Sequence, residues 1–184
     1  MEQRAVYPTE VLQGFTDKSM YVLMLYDPID NMKVPVMIGE HEAHMIILEQ
    51  EQQNVHRPMT HQLIASILDE FGLTLKGVRI DRFEEGVFYA HLVISDGFNV
   101  KEIDARTSDA VVLAMHLSVN ITMSKQVIAD TGFKDEDEVP PLKTDDVDES
   151  IEELERQLRE CEENEEYEKA DALMKKIKKM KRHE

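Results

Sequence analysis

Tryptophan is absent from the 184 residues, and cysteine occurs once, as Cys161. One thiol cannot close a disulfide within the chain or build a Cys-rich zinc site, so a reduced, cytoplasmic setting is expected. Long apolar runs are missing as well. No stretch reaches the roughly 18 consecutive apolar residues of a membrane span, and residues 1–15 lack the basic start and apolar run of a secretory signal. Basic side chains are scarce: 21 Lys and Arg against 38 Asp and Glu leave a formal net charge of −17. That balance argues against a broad, sequence-independent grip on nucleic-acid phosphates, though a small basic cleft or a bound metal can reverse the sign locally. Phosphate loops and dinucleotide fingerprints are also lacking, which places a small-ligand sensor last among the function classes. What is present, 42% hydrophobic and 32% charged residues, is the composition of a globular protein.

The acidic residues are unevenly placed. Residues 134–184 carry 19 of the 38 in a much shorter stretch than residues 1–133, which carry the other 19. Asp135 to Glu138, Pro140-Pro141 and Asp145-Asp146 mark a solvated linker that cannot build a core. Three parts follow: an α/β domain over 1–133, a linker over 134–146 and a helical hairpin over 147–184. The hairpin shows two apolar stripes, Val147 to Cys161 and Tyr167 to Met180, broken at Asn164-Glu165. An isolated hairpin of this size buries too little to stand alone, so it is expected to pair with a copy of itself, with the front domain or with a partner.

In the front domain, strands are predicted over 20–26, 33–38, 73–83, 87–94, 100–103 and 121–124. Helices are predicted over 42–53, 60–71 and 108–117. Val6–Leu12 reads as an additional edge strand interrupted by Pro8. Tyr21–Leu48 and Phe88–Leu113 run alike: strand, turn, strand, then a helix opening on an acid and an alanine (Glu42-Ala43, Asp109-Ala110). The expected fold is therefore α/β (α+β), a compact domain with duplicated β-β-α units around a mixed sheet, followed by the helical hairpin.

Three segments carry a resemblance. Val34-Pro35-Val36-Met37-Ile38-Gly39-Glu40 with Glu42-Ala43, Arg57-Pro58-Met59-Thr60-His61, and Ile103 to Ala110 followed by Leu113-Ala114 are similar, in order, to the bifunctional nuclease domain family. The resemblance spans most of residues 5–130. It implies a compact, self-associating α/β domain that cleaves DNA and RNA. The tail, through Glu165-Glu166-Tyr167-Glu168-Lys169-Ala170, Leu173 and Ile177, resembles the UVR motif, a helical hairpin that implies a protein–protein contact. Departures from the nuclease family's pattern are Gln62, where an Asp is common, and Thr107 and Asn120, where Pro is common.

Phosphodiester hydrolysis needs an activated water and a group that stabilises charge on the phosphoryl oxygens. The matched segments supply His61, Arg106, Asp109 and Asp104 for catalysis, and Arg57, Thr60 and Ser108 for substrate. Asp104, Asp109 and Glu42 could hold Mg²⁺ or Mn²⁺. Each has a structural alternative. Asp109, Glu42 and Glu40 fit first helical turns, Thr107, Ser108 and Thr60 fit N-caps, and Asp104 and Arg106 could be a corner ion pair. His41 and His44 are three apart, not the four of a zinc-protease helix, and read as a solvated face. His91 and His116 read as packing or partly exposed, and Met20, Met24, Met37 and Met45 as core filler. Two functions stand: a metal-assisted nuclease with nucleic-acid substrate, and a non-catalytic homo-oligomeric adaptor presenting 147–184 to a partner.

Overall fold

A computed structural model describes residues 2–14, 20–53 and 56–134. The hairpin expected over 147–184 and all of the linker beyond residue 134 lie outside the described residues.

The chain runs β1 (Gln3–Gln13), β2 (Met20–Asp27), β3 (Met32–Gly39), α1 (Glu40–Gln50), α2 (Thr60–Glu70), β4 (Thr74–Glu84), β5 (Val87–Ser95), β6 (Val100–Arg106), α3 (Thr107–His116), β7 (Ile121–Ser124) and α4 (Lys125–Thr131). All seven strands join one mixed sheet in the order β3-β2-β1-β7-β4-β5-β6. Every neighbouring pair is antiparallel except β4 with β7. The sheet is thus two three-stranded meanders, β1–β3 and β4–β6, joined through the short β7. Each meander ends at an outer edge and passes straight into a helix, β3 into α1 and β6 into α3.

Turn chemistry makes these meanders. Asp27 is fully buried, and its Oδ1 accepts the Ile29 N–H at 3.0 Å, closing the β2–β3 loop from within. Glu85 (φ 50°) and Gly86 (φ 79°) form the two-residue β4–β5 turn, where two positive φ values match the twist of the strands. Pro35 is tolerated because β3 has a neighbour on one side only.

Three sequence expectations change. β1 is interior, flanked by β2 and β7, and not an edge strand. Its pairing with β7 covers only Gln3 to Val6, so Pro8 falls beyond the point where a donor is needed on that side, and the register with β2 shifts between Pro8 and Val11. The repeat is one strand longer than expected, since β1 and β4 are its equivalent first strands. Finally, α4 carries no sequence signal because seven residues are too few to display a helical period.

The main core gathers Leu23, Leu25, Val34, Val36, Ile46, Val78, Ile80, Val111 and Met123 between the sheet and helices α1, α3 and α4. A smaller cluster of Ala65, Leu68, Leu75, Ile94 and Leu113 seats α2. Of the large apolar residues of α2, only Leu68 turns inward. Leu63, Ile64, Ile67 and Phe71 are exposed.

Candidate functional site

The two strand-to-helix corners meet. Arg106 ends β6 and caps α3 by position. Its Nε donates to Asp109 Oδ2 at 2.9 Å, Nη2 to Asp109 Oδ1 at 3.2 Å, and Nη1 to Glu42 Oε1 on α1 at 2.8 Å. The fork on Asp109 is the bidentate geometry a guanidinium prefers. The hydrogen bonds that Arg106 donates to Asp109 and then to Glu42 raise its pKa above the ordinary value. Glu42 is held below the usual carboxylate range, first by its own backbone N–H and then by Arg106, against the opposing effect of burial.

Beside this cluster lies a pocket of about 260 Å³, lined by Val36 to Gly39 and Glu42 on one side and by Gly86 to Phe88 and Arg106 to Ser108 on the other. The ends of β3 and β6 and the start of β5 therefore all line one pocket. Both helices begin here, and neither N-cap residue, Gly39 or Arg106, gives a capping side-chain bond. Close approach explains Gly39, because a Cβ there would stand 2.6 Å from Glu42 Oε2. Thr107 and Ser108, expected as caps, are instead buried at the first helical positions. The Thr107 hydroxyl donates to the Phe88 carbonyl at 3.2 Å, tying α3 to β5.

A second polar cluster sits two helical turns further along both helices, roughly 10 Å by helix rise. Glu49 follows Glu42 by seven residues on α1, and His116 follows Asp109 by seven on α3. His61, at the start of α2, is 4% exposed. Its Nε2 lies 2.7 Å from Glu49 Oε1, and His116 Nδ1 lies 3.1 Å from the same oxygen. Gln62 Nε2 donates to it as well at 3.3 Å, while Gln62 Oε1 accepts the Met59 N–H that opens α2. Gln62 thus does two jobs that an Asp there could not both perform. Burial pushes the Glu49 carboxyl up, but hydrogen bonds from His61 and Gln62 and the His116 and His61 charges outweigh it, leaving the pKa lowered. His61 Nδ1 is buried without a hydrogen-bond partner.

The structure divides the expected residues between these clusters. Arg106, Asp109, Glu42 and Ser108 belong to the first, and His61 to the second. Asp104 is exposed on β6 and takes no part in the Arg106 ion pairs, so the expected Asp104–Arg106 corner pair is replaced by Arg106 with Asp109 and Glu42. Arg57 and Thr60 are exposed at the approach to α2, where Thr60 is the first helical residue and Met59 the N-cap. Sequence reading missed Glu49 and gave His116, read as packing or partly exposed, no functional role. The available signal was the repeat itself: an offset of 67 aligns Glu42 with Asp109 and also Glu49 with His116.

The carboxylates expected to hold a metal do not fit that role. The cation between Glu42 and Asp109 is the Arg106 guanidinium, and Asp104 stands apart. Among the described residues, one group has metal-ligand spacing: Glu49, His61 and His116, whose ligand atoms all lie within 4.8 Å of one another. His41 and His44 are exposed and belong to no such group. Among the described residues no helix is long and apolar enough to cross a membrane.

Comparison with known proteins bears on this geometry. A family model described as the bifunctional nuclease domain matches residues 23–136. An uncharacterized protein of Mycobacterium tuberculosis is 36% identical over 132 residues, covering 69% of this chain and 79% of that protein. Bifunctional nuclease 1 of Arabidopsis thaliana is 22% identical over 104 residues, 55% of this chain and 32% of its own length. Bifunctional nuclease 2 of the same plant is 22% identical over 126 residues, 67% of this chain and 38% of its own.

Proposed function

The chain belongs to the bifunctional nuclease domain family, and from that premise we propose that it hydrolyses phosphodiester bonds of DNA, RNA or both at the pocket where α1 and α3 begin. One observation carries the reading: two helices begin at the same pocket, neither capped by the side chain of its N-cap residue, with Arg106 at the rim. First-turn N–H groups at the positive ends of two helix dipoles suit an anionic phosphate. Arg106 adds a charge that strengthens as the phosphoryl oxygens gain negative charge in the transition state. Glu42 and Asp109 orient Arg106, and Asp109, the more exposed of the two carboxylates, accepts a hydrogen bond from the attacking water. His61 is too buried to meet substrate directly and acts through Glu49 on His116, whose side chain is 31% exposed.

The purified chain should nick plasmid DNA or degrade RNA, and Arg106→Ala should lower the rate by roughly a hundredfold, as loss of one preorganised donor does. Cleavage of neither substrate, or full activity in both Arg106→Ala and Asp109→Asn, overturns the reading.

A second reading has its own support. The two carboxylates on Arg106 already exceed its charge, and Leu63, Ile64, Ile67 and Phe71 form an exposed stripe on α2. These favour a non-catalytic homo-oligomer in which α2 meets a second copy and the UVR-like segment 147–184 recruits a protein partner. Light scattering on the full chain and on a chain ending at residue 146 separates the two contributions. A partner lost with 147–184 from a protein without nuclease activity selects this reading.

A further inference from the structure

We propose that Glu49, His61 and His116 form a binding site for a divalent transition-metal ion of the zinc class, distinct from the pocket at the helix starts. Two imidazole nitrogens and one carboxylate oxygen are the donor set of three-ligand zinc sites that leave a fourth position open. Magnesium, the ion expected from the carboxylates alone, prefers six oxygen ligands and is disfavoured here. Manganese accepts imidazole but stands below zinc in affinity for such a set.

The geometry is close to what zinc needs. Ligand atoms about 2.0–2.1 Å from a tetrahedral ion stand roughly 3.3 Å apart. Glu49 Oε1 is 2.7 Å from His61 Nε2 and 3.1 Å from His116 Nδ1, so these two gaps need to open by about 0.2–0.6 Å, and all three ligand atoms already lie within 4.8 Å of one another. Both imidazoles, with Gln62, converge on this one oxygen. An ion there would take the place of the protons that now link the rings to the carboxylate.

The surroundings supply the remaining features. The three ligands come from three helices, α1, α2 and α3, all packed by the core, which fixes their positions. His61 is buried and Glu49 is 15% exposed, while the His116 side chain, at 31%, leaves an entry path and an open coordination position. The Gln62 amide donates to Glu49 and can hold it in place as an outer-shell partner. This inference does not depend on the nuclease reading.

The test uses the full chain, stripped with chelator and titrated by calorimetry with zinc chloride and, separately, magnesium chloride. One zinc per chain at this site and no magnesium uptake at equal concentration is the expected result. Substituted Co²⁺ should give the intense visible bands of a tetrahedral site. His116→Ala, which changes a partly exposed ring, and Glu49→Gln should each weaken zinc binding at least tenfold while circular dichroism shows both still folded. Zinc affinity unchanged in both variants places any bound ion elsewhere in the chain and overturns the proposal, as does no zinc uptake by the wild-type chain. Because the readout is binding, a chain that takes zinc here but cleaves no nucleic acid supports the site and refutes only the proposed reaction.

Discussion

Glu42 and Glu49 lie seven residues apart on α1 and invite the same substitution with different results. Glu49→Gln takes the charge from an oxygen that is 2.7 Å from a buried imidazole and 3.1 Å from a second ring. A hydrogen bond to a charged group contributes about 1.5–3 kcal/mol, and the amide can still accept one of the two, so a loss of about 2–3 kcal/mol is expected. Glu42→Gln weakens a pair whose Arg106 partner is 68% exposed, and screening keeps that loss below about 1 kcal/mol. At roughly 3–5 °C per kcal/mol for a domain of this size, Glu49→Gln should lower Tm by about 6–15 °C and Glu42→Gln by less than about 5 °C. Both are measured by thermal and urea unfolding at pH 7.5 with chelator present, so that metal binding does not contribute. The sign of the pH dependence follows from the lowered Glu49 pKa. Its stabilisation is present above the ordinary carboxylate pKa and is lost as pH falls through the lower folded value. The gap between wild type and Glu49→Gln should therefore shrink on acidification below about pH 4. Equal losses for the two glutamines, or a gap that widens in acid, would refute this account.

Three further outcomes follow from the first corner. Arg106→Lys should keep the fold, with a Tm within about 3 °C of wild type, yet lose most nuclease activity because an ammonium cannot reproduce the fork on Asp109. Thr107→Val removes a buried hydroxyl and leaves the Phe88 carbonyl without its donor, so a loss of about 1–3 kcal/mol is expected in urea unfolding. Gly39→Ala would put a methyl group 2.6 Å from Glu42 Oε2, so Glu42 must swing from Arg106. Activity should then fall while the second cluster keeps its acid dependence.

Local pattern carried much of this fold. Short runs rich in Val, Ile, Leu, Met and aromatic residues marked β2, β3 and β5, and the acid-alanine helix openings marked α1 and α3, because those signals lie within a few neighbouring residues. Ala43 and Ala110 show what that signature reports: both are buried where a helix starts against the sheet. The interior place of β1 was hidden because it depends on how far β7 extends, a pairing across more than a hundred residues. Candidate residues divided the same way. Arg106, Asp109 and Glu42 were legible from their corners. Glu49 and His116 were not, since polar residues in the last turn of a helix carry no signal of their own until α1 and α3 are known to lie side by side. His61 was picked out by its motif, but its partner was not, because a histidine's neighbour is chosen by tertiary packing.

The place of β7 has a consequence for synthesis. Four residues near the end of the domain sit between β1, its first strand, and β4, which opens the second meander. Until they leave the ribosome, the nascent chain holds two meanders whose inner strands each have one bare hydrogen-bonding edge. Such edges are templates for another chain, so a transcript truncated before Ile121 should yield a protein prone to pair with its neighbours. The seven-stranded sheet is therefore complete only when β7 joins β1 to β4.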